Sequence, residues 1–195
     1  MSRRAAACGV VLLAAGCASL PPAGDAGSWP TRRSELQSLQ SWTLNGRVAV
    51  ATDSEGFSGG LAWRQDGARA EIELRGPLGG TVLSIQVDGA MLLVTDSHGT
   101  SVCGDAARGV VDTELGALLP VTELRYWLVG VPAPGLPHRE TIGPDGRLEG
   151  LEQAGWQLSY SRYETVGGLE LPARIEIESD GVRLRVAIAN WRLTP

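Results

Sequence analysis

The chain has 195 residues, with 17 basic and 22 acidic side chains and a formal net charge of −5. Every basic residue is arginine, which removes P-loop, Schiff-base and Ser-Lys chemistry. The acidic balance argues against a nucleic-acid partner, since phosphate binding needs a basic face.

Residues 1–17 read as a leader. Arg3 and Arg4 precede a short apolar run over 5–15, and Ala15-Gly16 places small residues before Cys17. That order is the one of a secretory signal, and the run is far shorter than the ~20 residues of a spanning helix. The segment resembles the lipobox of bacterial lipoproteins, which makes Cys17 the expected lipid-attachment site and 1–16 the expected signal peptide. Ala14 stands where that pattern usually has Leu. The alternative is a plain secretory signal with an incidental cysteine. Without Arg3 and Arg4, the remaining 15 arginines face 22 acidic residues. With Cys8 in the leader and Cys17 acylated, Cys103 stands alone and is expected as a small buried apolar residue.

Residues 17–28 hold Pro21, Pro22, Gly24 and Gly27 without apolar periodicity, the composition of a flexible tether. A single domain is expected over 29–195. The spacing predicts a first helix from Trp29 to Gln40, with Leu36 and Leu39 on one side. From Trp42 the period changes to two. Trp42, Leu44, Val48 and Val50 share one side, and runs at Leu61 and Trp63, Ile72 and Leu74, and Thr81 to Val87 repeat the alternation. Further runs lie at Met91 to Thr95, Thr100 to Cys103, Trp156 to Tyr160, Ile175 to Ile177, and Val182 to Ile188. Asp66-Gly67, Asp88-Gly89 and Asp180-Gly181 supply hairpin turns. About nine to eleven strands in hairpin succession imply one antiparallel sheet with an apolar face and an Arg/Glu-rich face.

Two short helices interrupt it. Asp112 is a plausible N-cap for a helix presenting Leu115, Leu118 and Leu119. Val121, Leu124, Trp127 and Leu128 then recur at helical spacing, stopped by Gly130 and Pro132. A wide twisted sheet curls, so these two helices are the natural cover of its apolar concave face. Residues 131–150, rich in Pro and Gly, read as a surface loop.

The landmarks Trp42-x-Leu-x-Gly-Arg-x-Ala, Leu61-x-Trp63-x-Gln65, Gly76-Pro77-Leu78-Gly79, Leu119-Pro120-Val121 and Leu124-x-x-Trp127-Leu128-x-Gly130-x-Pro132 occur in this order. Gly155-Trp156, Tyr160, Leu171-Pro172 and Trp191 complete them. The ordered set resembles the outer-membrane lipoprotein receptor family LolB. The resemblance implies a mainly β fold with short α segments: a half-open antiparallel β-barrel, LolA/LolB-like, with a helical lid over an apolar cavity. It implies a monomer, lipid-anchored on the periplasmic face of the outer membrane. Such a protein receives lipoproteins from the soluble carrier LolA and inserts them into the inner leaflet. Ala18 after Cys17 fits that placement, since the family's retention rule calls for Asp there.

Holding acyl chains needs an apolar pocket and no cofactor, metal or catalytic group. Alternation supplies Val48, Trp63, Ile72, Leu74 and Leu83 as candidate lining, with Ile85, Trp127, Leu128, Leu184 and Val186. An ordinary filled core accounts for the same pattern. Pro77, Leu78 and Gly79 form a tight glycine-flanked connection, where a Leu has little to pack against. Leu78 matches the protruding apolar residue with which the family touches the bilayer; the alternative is a side chain folded back on the sheet. Glu71, Glu73, Glu176 and Glu178 read as a solvated sheet face. His98 and His138 sit in turn-like contexts, and no nucleophile elbow or zinc-ligand pair is present. The competing functions are a lipid-anchored carrier of another lipid or glycolipid, and an envelope scaffold with a filled core.

Overall fold

The computed structural model describes residues 28–53, 56–115 and 119–194. The leader, Cys17, the tether up to residue 27 and Leu118 lie outside them. Among the described residues α1 (Trp29–Gln37) leads into β1 (Ser41–Ala51), β2 (Gly56–Asp66), β3 (Arg69–Arg75), β4 (Thr81–Asp88), β5 (Met91–Asp96) and β6 (Ser101–Cys103). Two helices follow, α2 (Asp105–Leu115) and α3 (Val121–Leu128). The chain then forms β7 (His138–Ile142), β8 (Leu148–Gln153), β9 (Trp156–Val166), β10 (Leu169–Ser179) and β11 (Val182–Leu193).

All eleven strands join one antiparallel sheet in the order β6-β5-β4-β3-β2-β1-β11-β10-β9-β8-β7. The two halves meet where β1 pairs with β11, and β6 and β7 are left as the edges. In the chain, α2 and α3 lie between those two edge strands. The helix pair therefore connects one edge of the open barrel to the other and roofs the apolar face between them.

Burial follows the period-two pattern. Trp42, Leu44, Val48 and Val50 of β1, Leu61 and Trp63 of β2, and Ile72 and Leu74 of β3 point inward. Leu184, Val186 and Ile188 of β11 continue the same face. Trp42 packs edge-on against Trp191, with ring centroids 5.2 Å apart, and lies 5.9 Å from Trp63. The outer face carries ion pairs, among them Arg75–Glu73, Arg185–Glu176 and Arg183–Glu178. Glu71, also on this face, is exposed. Gly46 sits where β1 shifts register against β11, and a Cβ there would fall 2.3 Å from the Ala187 carbonyl oxygen.

Four expectations need correction. Helix α1 ends at Gln37, so Leu39 follows it rather than sharing its face. Helix α2 starts at Asp105, and Asp112 is an exposed residue inside it rather than its cap. Residues 131–150 are not simply loop: Val131 to Ala133 are buried, and β7 and the start of β8 follow. Edge strand β7 pairs on one side and carries His138, Arg139, Glu140 and Thr141, so it lacks the apolar alternation that betrays a strand. Cys103 ends the short edge strand β6 and is exposed, not buried.

Candidate functional site

An apolar cavity of about 50 Å³ lies between the concave sheet face and the two helices. Eight of the ten residues put forward from alternation line it: Val48, Trp63, Ile72, Leu74, Ile85, Leu128, Leu184 and Val186. Leu83 and Trp127 are buried but do not line it. The roof is Val111 and Leu115 from α2, Leu119 from the connection, and Val121 and Leu124 with Leu128 from α3. Val50 and Leu61 complete the floor. All of these except Val111, which precedes the helix start expected at Asp112, were legible as apolar helix faces, but only the packing shows that they meet the sheet across a gap.

Two buried glutamines fix indoles near this cavity, Trp63 in its wall and Trp127 in the core beside it. Gln65 accepts a hydrogen bond from the Trp63 indole at 2.9 Å and donates to the carbonyls of Gly67 and Arg69. Gln153 accepts from the Trp127 indole and from the Ala133 amide, both at 2.8 Å, and donates to the Ala133 carbonyl. A buried amide is costly unless its donors and acceptors are met, and here they are. Both glutamines occupy inward positions of their strands, beside Trp63 in β2 and beside Leu151 in β8. A polar residue at an inward position was the signal that could have revealed them.

The C-terminal end of α3 is fixed further by the Tyr160 hydroxyl, which donates to the Trp127 carbonyl at 3.0 Å. Tyr163 donates to the Leu148 carbonyl at 2.5 Å. Burial pushes both phenols up, so both stay protonated and act as donors. Helix α1 docks through Trp29 to Glu140 at 2.9 Å, Arg33 to Glu140 at 3.1 Å and Arg32 to Glu170 at 3.0 Å. Arg147 also pairs with Glu170, and its hydrogen bond is the main reason that carboxylate is held below its ordinary range.

The β3–β4 connection runs Gly76-Pro77-Leu78-Gly79-Gly80. It closes through the Gly79 amide to the Gly76 carbonyl at 2.9 Å and the Gly76 amide to the Gly80 carbonyl at 2.8 Å. Gly79 has φ of 87°, which suits glycine, and Pro77 supplies the fixed φ of the turn's second position. Leu78 is 101 % exposed, so it is not folded back on the sheet. Met91, 66 % exposed, lies at the opposite end of the β4 hairpin.

Among the described residues no group of three or more His, Cys, Asp or Glu is placed to hold a metal ion. The geometry defines a fold class: an open antiparallel barrel roofed by a helix pair over an apolar cavity. Solved structures share that architecture. A LolA-superfamily protein from Nitrosomonas europaea superposes with a TM-score of 0.52 at 13% identity, covering 86% of this chain and 94% of that one. A putative outer membrane lipoprotein-sorting protein domain from Vibrio parahaemolyticus gives 0.55 at 6% identity, covering 85% and 91%. Sequence narrows the class. The family model of outer membrane lipoprotein LolB matches residues 40–191. The chain is 35% identical over 188 residues to the outer-membrane lipoprotein LolB of Nitrosococcus oceani, covering 94% of each. It is 33% identical over 193 residues to that of Pseudomonas paraeruginosa, covering 95% of this chain and 94% of the relative. The chain belongs to the outer-membrane lipoprotein LolB family.

Proposed function

We propose that this chain accepts the acyl chains of lipoproteins from the soluble periplasmic carrier LolA and releases them into the inner leaflet of the outer membrane. The observation that carries the reading is the cavity itself. It is lined by apolar side chains alone and roofed by the helix pair that links the two sheet edges. Each methylene taken from water contributes about 0.8 kcal/mol, so hydrocarbon is the ligand such a site favours. No group in it does chemistry, and the protein acts by binding. Direction comes from differential affinity between carrier, cavity and bilayer.

At about 50 Å³ the closed cavity has room for only a small part of an acyl chain. Cargo entry therefore displaces the roof. The C-terminal end of α3 is pinned by Tyr160 and Gln153. The α2 residues that meet the cavity, Val111 and Leu115, do so through apolar contact. Helix α2 and the start of α3 are accordingly the part that lifts. Leu78, carried by Pro77 and Gly79, is the element that touches the bilayer during release. Cys17 carries the lipid anchor after removal of 1–16, residues 17–28 are the tether, and 29–195 act as a monomeric binding domain.

Mixing the purified protein with acyl-loaded carrier and following the cargo tests this directly. Cargo is expected to pass to the protein and then to added liposomes. Uptake of a fluorescent acyl probe without acceptance of cargo would mark a carrier of some other lipid. Failure of both would mark a scaffold with a filled core.

A further inference from the structure

The outer face of the sheet carries a row of arginines that neither the cavity nor the loop explains. Arg75 pairs across β3–β2 with Gly60, Gly60 with Arg47 of β1, Arg47 with Ala187 of β11, Ala187 with Arg174 of β10, and Arg174 with Arg162 of β9. All four arginines are exposed. With neighbouring strands about 4.8 Å apart, the arginines recur every one or two strands along one transverse line. Arg75 pairs with Glu73 on its own strand. Arg47, Arg162 and Arg174 form no ion pair or hydrogen bond among the described residues. Glu176, the carboxylate that lines the groove, is already engaged by Arg183 and Arg185.

The fold alone gives no reason for this arrangement. Arg162 and Arg174 stand directly opposite each other, where like charges oppose pairing. Register shifts flank them, leaving Ala173 and Ser161 unpaired on either side. Bulges of this kind re-aim side chains. Ala187, between Arg47 and Arg174, and the neighbouring small residues Ala49, Ser58 and Ser161 on the flanking strands leave an open groove of about 560 Å³. In a chain of net charge −5, free guanidiniums beside an open polar groove form an anion-binding surface.

The position of the row chooses the anion. Arg75 is the last residue of β3 and immediately precedes Gly76-Pro77-Leu78, so the line starts at the foot of the loop with the fully exposed leucine. An apolar tip next to a basic strip matches the surface of an anionic bilayer, apolar below and phosphate above. We propose that Arg47, Arg162 and Arg174, continuing from Arg75, form a docking strip for anionic phospholipid headgroups. The strip orients the barrel on the membrane while Leu78 enters it. This rests on the membrane role of the Leu78 loop and adds a second, electrostatic contact that is independent of the cavity.

The test is arginine footprinting of the full chain with phenylglyoxal, read residue by residue by mass spectrometry. The chain is mixed with vesicles of phosphatidylcholine, or of phosphatidylcholine with phosphatidylglycerol. Arg47, Arg162 and Arg174 are expected to react several-fold more slowly on the anionic vesicles and at the unbound rate on the neutral ones. Arg64 and Arg192, on the same face but paired through Thr43 four residues along β1, are expected to keep their rates. Equal slowing on neutral vesicles, no slowing at all, or the same slowing by soluble glycerol phosphate without vesicles would each overturn the proposal. Full chain carrying Cys17→Ala, to remove the anchor, then compares wild-type arginines with the Arg47→Gln, Arg162→Gln, Arg174→Gln triple. At about fivefold per arginine, partition onto anionic vesicles should fall by roughly 100-fold. Uptake of an acyl probe should not change, which shows that the triple folds and keeps its cavity. A triple that partitions like its parent sinks the docking strip alone. A parent that docks yet takes up no acyl probe sinks the cavity reading alone.

Discussion

Leu78 and Gln153 lie at opposite extremes of burial, and their substitutions should separate function from stability. Leu78 is fully exposed at the tip of a turn closed by its own backbone. Leu78→Glu should therefore shift stability by no more than about 0.5 kcal/mol. Uptake of cargo from the carrier should be normal and release into liposomes slowed; release at the parental rate would remove the loop from the mechanism. Gln153 is 3 % exposed and satisfies the Trp127 indole, the Ala133 amide and the Ala133 carbonyl at once. Gln153→Ala strands two buried donors, at about 1–3 kcal/mol each. A denaturant midpoint lowered by the equivalent of roughly 3 kcal/mol is expected, and an unchanged midpoint would mean that the network is not what fixes α3. Leu78 was legible from its glycine and proline neighbours. Gln153 was not, because a lone polar residue in a strand gives no hint of which indole it will meet.

Among the elements, α1 is docked by ion pairs as well as by its buried Leu36, while α2 meets the cavity through packing, so they should respond to different perturbations. Glu170 receives Arg147 and Arg32 and is held below its ordinary value of 4.5. A carboxylate lowered by folding stabilises fully above its ordinary value and ceases to do so as pH falls through the folded one. The stability gap between wild type and Glu170→Gln should thus be widest near neutrality and close in acid. A gap that stays constant with pH would show that the ion pairs do not hold α1. Leu115 is 2 % exposed and lines the cavity from α2. Leu115→Ala should cost roughly 2–5 kcal/mol of stability while tightening acyl-probe binding, because it weakens the closed roof that the ligand must displace. Affinity falling in step with stability would argue that α2 is ordinary core. The helical spacing of Leu115, Val121, Leu124 and Leu128 made the roof legible. The start of α2 was not, because Asp112 offers a cap residue and the true first turn begins at Asp105 after the positive-φ Gly104.

At the scale of the whole molecule, occupancy should appear as linkage. A ligand that binds only the folded state at a hundred times its dissociation constant adds about 2.7 kcal/mol, so saturating acyl probe should raise the thermal midpoint. No rise would show that the interior does not admit hydrocarbon. The sequence by itself determined the antiparallel sheet, its two-faced chemistry, most of its turns and the amphipathic helices, because each is written in a local period or a local backbone preference. It carried the landmarks of the LolB family for the same reason. Only the tertiary structure decided that β1 joins β11, that the helix pair spans the gap between β6 and β7, and that Leu83 and Trp127 pack while Val48 and Val186 face a void. Lining and packed residues share one hydropathy and one period; what distinguishes them is whether an atom from a distant part of the chain arrives opposite. The arginine row is of the same kind: Arg47, Arg75, Arg162 and Arg174 are scattered along the chain and become neighbours only through strand register.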